Sequence, residues 1–86
     1  ELAIQNGQVV LDDKTIRITQ GEIVELLWSS DKAATLHLHG YDLMMNVTPD
    51  SPASMRFEAT ATGRFPLEMH GSEHHNILIY LEVHPR

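Results

Sequence analysis

The sequence predicts an all-β fold, an antiparallel sandwich or barrel of about seven to eight short strands. Three observations carry that expectation. Turn residues break the chain at short intervals, and apolar residues alternate with polar ones between the turns. No stretch of about ten residues has the apolar spacing of an amphipathic helix.

The elements follow in order. Leu2 to Gln5 and Gln8 to Leu11 flank Asn6-Gly7, a dipeptide that tolerates positive φ and so closes a two-residue hairpin. Asp12-Asp13 turns the chain into Thr15 to Thr19, which alternates cleanly. Gln20-Gly21 leads into Glu22 to Trp28, where apolar residues fall on both parities. That pattern predicts a central strand covered on both faces. After the polar loop Ser29 to Lys32 come strands at Thr35 to His39 and Asp42 to Val47. Pro49 to Pro52 forms a turn, and Ala53, Met55, Phe57 and Ala59 share the inner face of the next strand. Thr62-Gly63 turns into Phe65, Leu67 and Met69. The segment His70 to Asn76 reads as a loop, and Ile77, Ile79, Leu81 and Val83 face inward on a last strand.

A chain of 86 residues that is 42% hydrophobic makes a single domain, residues 1–86, with one packed core. No apolar run approaches the roughly 20 residues of a membrane-spanning helix. Twelve acidic residues against six basic give a net charge of −6, without the basic stripe of a nucleic-acid binder. The zero cysteine count excludes disulfides, thiolate nucleophiles, iron–sulfur clusters and zinc-finger chemistry. Residue 1 is Glu rather than Met, so the chain reads as processed or trimmed, any signal peptide having been removed with the start. No nucleophile elbow, carboxylate pair or cofactor fingerprint is present, so an enzyme is not expected.

Chemistry concentrates in the six histidines. Residues two apart on a strand share a face, so His37 and His39 present their imidazoles side by side. His70, His74 and His75 form a second cluster, and His84 stands alone at a terminus where it is expected to be idle. Imidazole is the commonest neutral metal ligand and suits copper, zinc and nickel. Without thiolates such a site uses nitrogen, or nitrogen and oxygen, with Glu73 or Met69 as candidate helpers. If Leu36 and Leu38 point into the core, His37 and His39 point away from it, which sets the site on a sheet face or rim. Met45, Met55 and Met69 have inward parity and read as core filling, whereas Met44 has outward parity. Met44, and Met69 beside the loop histidines, remain the candidate thioether donors. Histidines at strand ends also occur without function, and that alternative stays open.

The chain resembles a cupredoxin-type domain over nearly all its length. The resemblance rests on Gly21-Glu22-Ile23-Val24 leading into Trp28 and on Leu36-His37-Leu38-His39-Gly40-Tyr41-Asp42-Leu43. It continues in Gly63-Arg64-Phe65-Pro66-Leu67-Glu68-Met69-His70 and in Ile79-Tyr80-Leu81-Glu82-Val83. His-Leu-His-Gly is also similar to a copper motif of multicopper oxidases. More narrowly, the chain resembles small exported bacterial cupredoxin-like proteins with a His-x-His-Gly-Tyr-Asp segment. The resemblance implies a Greek-key sandwich, a periplasmic or otherwise exported location, and ligands in both histidine clusters. Blue-copper centres use two His, a Cys and a weak axial Met. Met69 or Glu68 stands where that Cys would be, so a thiolate-based blue centre is excluded.

The expectation is a protein that holds or delivers copper, as Cu(I) or Cu(II), with a second copper-handling protein as partner. Its candidate ligands are His37, His39, His70, His74, His75 and Met69. Zinc at the same histidines is one alternative; a metal-free interaction or accessory domain is the other. The sequence leaves the oligomeric state open.

Overall fold

The structure, a computed structural model, describes residues 2–71 and 75–86. Nine strands form among the described residues: β1 (Leu2–Gln5), β2 (Gln8–Val9), β3 (Thr15–Thr19), β4 (Ile23–Ser30), β5 (Ala34–Leu38), β6 (Leu43–Val47), β7 (Ala53–Glu58), β8 (Gly63–Gly71) and β9 (His75–His84). They build a four-stranded sheet in the order β2-β1-β4-β7 and a five-stranded sheet in the order β3-β9-β8-β5-β6. Among the described residues there is no helix.

Asn6 and Gly7 take φ values of 52° and 77° and close the β1–β2 hairpin, with Ile4 opposite Val9. Pairing is antiparallel throughout except that β1 runs parallel to β4, and β3 parallel to β9. Both exceptions arise because the chain changes sheets between the paired strands, so a tight hairpin does not set their direction.

The inner faces of the two sheets make one core. Trp28, Leu36, Leu38, Met55, Leu67, Ile79 and Leu81 are all buried in it. Burial on this scale, at about 25 cal/mol per Å² of apolar surface, is the main force holding the sheets together.

Three local expectations are corrected. β4 alternates strictly between exposed and buried, and Ile23 and Leu27 lie on its solvent side. Among the described residues no further layer covers that sheet, so apolar residues on both parities here mark an exposed apolar face rather than a doubly covered strand. Of the segment His70 to Asn76, the described residues are strand rather than loop: β8 extends to Gly71, β9 begins at His75, and His70 pairs with His75. Polar composition had hidden this pairing.

The third correction concerns β9. The register slips between Leu67, paired with Ile79, and Glu68, paired with Ile77, leaving Leu78 as the extra residue of a β-bulge. Leu78 and Ile79 are consequently both buried, and Ile77 turns out to solvent. A bulge reverses side-chain parity beyond it. His75 shares parity with core residues Ile79, Leu81 and Val83, yet it emerges exposed on the outer face.

Candidate metal centre

The outer face of the five-stranded sheet carries the histidine cluster. On β5, Leu36 and Leu38 are fully buried, so His37 between them projects outward. Its neighbour across β8 is Glu68 and its neighbour across β6 is Met44. One row along, Thr35, His70 and His75 lie opposite one another on β5, β8 and β9. His39 follows the end of β5, and its backbone N–H donates to the Pro66 carbonyl at 3.1 Å, which continues the ladder. The sheet thus brings His37, His39, His70, His75 and Glu68 to one patch.

Glu68 is the hub. Its carboxylate accepts a hydrogen bond from His39 Nε2. His70 Nε2 lies 3.8 Å from Oε1, and His75 Nε2 lies 3.6 Å from Oε2. The rings of His37 and His39 lie 4.1 Å apart between centroids, tilted by 39°, and those of His70 and His75 lie 4.1 Å apart, tilted by 41°. The His39 hydrogen bond holds the Glu68 carboxyl below its usual range. Partial burial opposes that shift, and attraction to His39, His70 and His75 reinforces it.

The turn after β5 fixes His39. Gly40 adopts φ +87°, and a Cβ placed there would lie 2.2 Å from Phe65 Cδ1. Only glycine lets the backbone pass so close to that ring. Tyr41 Oη donates to the Ala61 carbonyl at 2.6 Å and accepts from the Ala61 N–H at 3.1 Å. Its ring packs on Phe65 and Phe57 at 5.0 and 4.9 Å. Asp42 holds φ 59° and sets Oδ1 3.7 Å from His37 Nε2.

One donor atom each from His37, Glu68 and His70 lies within 4.8 Å of the other two. Donors bound about 2.0–2.1 Å from a metal in tetrahedral array sit roughly 3.3 Å apart. The closure needed, about 1.5 Å, is within reach of side-chain rotation about staggered torsions. Two imidazoles and a carboxylate form a nitrogen–oxygen donor set suited to borderline divalent ions. The residues therefore fit a metal ion.

The other predicted residues fall as follows. His39 is committed to Glu68, and His75 adjoins the trio from the β9 side. His74 and Glu73 lie outside the described residues. Met69 is 3% exposed, on the core side of β8, with its thioether across the sheet from Glu68 and His70. His84 is remote and contacts Glu82 at 2.8 Å. The candidate donor that sequence reasoning missed is Glu68. Its signal was present: Glu68 and His70 stand two apart on a strand, as His37 and His39 do.

No family model and no curated protein matches the chain. Thirty-eight chains of solved structures do. One belongs to a cryo-EM structure of a heme-copper terminal oxidase dimer and superposes with a TM-score of 0.80 at 20% identity. The match covers 96% of this chain and 60% of that chain, so this protein spans less than two thirds of the length of its neighbour. The fold is a cupredoxin-type β-sandwich. On this fold the chain carries a histidine and carboxylate cluster on the outer face of its larger sheet.

Proposed function

We propose that this protein binds copper through a non-blue, histidine-based site and holds or delivers the ion outside the cytoplasm, without catalytic turnover. One observation carries the proposal: His37, Glu68 and His70 converge within 4.8 Å on a single sheet face. The absence of cysteine from the sequence supports a site without thiolate. Likeness in fold to a chain of a heme-copper terminal oxidase supports copper as the first metal to consider. For nitrogen donors the Irving–Williams order places Cu²⁺ above Zn²⁺, which leaves zinc as the competitor at the same residues.

In this proposal His37 and His70 donate nitrogen and Glu68 donates oxygen. His39 orients Glu68 by its hydrogen bond, the outer-shell role that tunes a ligating carboxylate. His75 stands next to Glu68 as a further donor for an ion arriving or leaving. Bound copper would be chelated, with no reaction to perform. Its donors are half-buried to exposed on the outer sheet face, which leaves a bound ion open to transfer to another copper-handling protein.

The test is copper retained per chain after loading and desalting, for the wild type and the His37→Ala/His70→Ala double variant. The proposal expects about one copper per chain in the wild type, as one three-donor site requires. It expects loss in the variant, with an unchanged far-UV spectrum. Retention near zero in the wild type would overturn the proposal and leave an interaction domain as the alternative.

A further inference from the structure

Met44 is the one methionine on the outer face of the sheet among the described residues, and it is 64% exposed. Met45 is half-buried against the core, and Met55 and Met69 lie within it. An exposed thioether on an edge strand makes little packing contribution, yet Met44 stands directly opposite His37 in the β5–β6 register. Directly paired residues hold their Cβ atoms about 4.5–5.5 Å apart on the same face. Side chains of these two strands do meet there: one row along, Thr35 Oγ1 donates to Asn46 Oδ1 at 3.0 Å. The methionine side chain is unbranched and has three rotatable bonds, two of which move the sulfur, so it can swing to the Nε2 side of the neighbouring imidazole.

The cross-strand row therefore reads Met44, His37, Glu68, with a soft donor at one end and a hard one at the other. Thioether sulfur selects Cu(I), whereas carboxylate oxygen suits harder ions. We propose that Met44 is a thioether ligand that joins His37 when the ion is Cu(I), making the cuprous ion the preferred cargo. This inference rests on the metal-site reading above and adds to it the oxidation state and a fourth donor.

The test compares wild type, Met44→Leu and His37→Ala for Cu(I) affinity, by anaerobic competition with a chromogenic Cu(I) chelator, and for Cu(II) affinity. Leucine keeps the apolar volume at an exposed position and removes only the sulfur. Loss of an outer-shell partner typically costs 10–100-fold in metal affinity, and loss of a ligand costs no less. Met44→Leu is expected to weaken Cu(I) at least about tenfold and to leave Cu(II) within about twofold. The Cu(I) X-ray absorption spectrum should lose a sulfur scatterer in the same variant. Unchanged Cu(I) affinity in Met44→Leu, with loss in His37→Ala, overturns the role of Met44 and leaves the histidine site standing. Equal weakening of both ions overturns the selectivity. No binding of either ion by the wild type overturns both proposals.

Discussion

Gly40 links the fold to the histidine cluster, and Gly40→Ala is the perturbation that exposes the link. The residue follows His39, holds φ +87°, and leaves no room for a Cβ beside the Phe65 ring, whose Cδ1 and Cε1 would lie 2.2 and 2.6 Å away. A left-handed conformation costs a non-glycine residue about 1–2 kcal/mol. Relieving the clash by moving a packed ring costs about 1–3 kcal/mol more. The sum, about 2–5 kcal/mol, is a large part of the 5–15 kcal/mol typical of a domain. For a domain of this size it lowers Tm by roughly 8–40 °C. Trp28 is the only tryptophan and is buried, so urea unfolding followed by its fluorescence measures the loss directly. Phe65→Val removes the ring atoms nearest the new Cβ, so in that background the Gly40→Ala cost should fall toward the conformational part, about 1–2 kcal/mol. A cost below about 0.5 kcal/mol, or the same cost in both backgrounds, would refute the reasoning.

Leu38 is fully buried beneath His37 and His39, so Leu38→Ala should lose about 2–5 kcal/mol in urea unfolding. A loss under about 1 kcal/mol would mean that the core under the cluster is not packed as described. Glu68 has a depressed carboxyl pKa in the folded protein, so the unfolded chain binds more protons as acid is added. Its stabilising contribution is full above about pH 4.3, the ordinary glutamate value, and disappears as pH falls through the lower folded value. Urea midpoints from pH 5 to pH 3 should therefore fall more for wild type than for Glu68→Gln, and parallel curves would contradict the hub role of this residue. Imidazole must be neutral to coordinate, so copper affinity should decline below about pH 6.5. Equal affinity at pH 5 and pH 7.5 would rule out histidine ligation.

Much of this architecture was legible in the sequence. Asn6-Gly7 announced its hairpin, and the alternation around Met55 and Ile18 announced which faces are buried. The placement of His37 and His39 on the solvent side followed from the burial of Leu36 and Leu38. Parity failed where the chain departs from a regular ladder. Nothing in Ile77-Leu78-Ile79 marks one apolar residue as the bulge, so the outward turn of His75 and Ile77 could not be read from alternation. β4 misled for a different reason: Ile23 and Leu27 look like core residues, and only the missing layer outside that sheet shows that they are not. Glu68 was overlooked because a carboxylate on a strand is ordinary by itself. It becomes a ligand candidate once the β5–β8 register sets it opposite His37.

The position of the metal decides between this site and any other histidine in the chain. Crystals loaded with copper and measured at the copper absorption edge would show an anomalous peak wherever the ion sits. A single dominant peak bounded by His37, Glu68 and His70 is the predicted result. A dominant peak at His84, at the chain terminus or only between neighbouring molecules would contradict it.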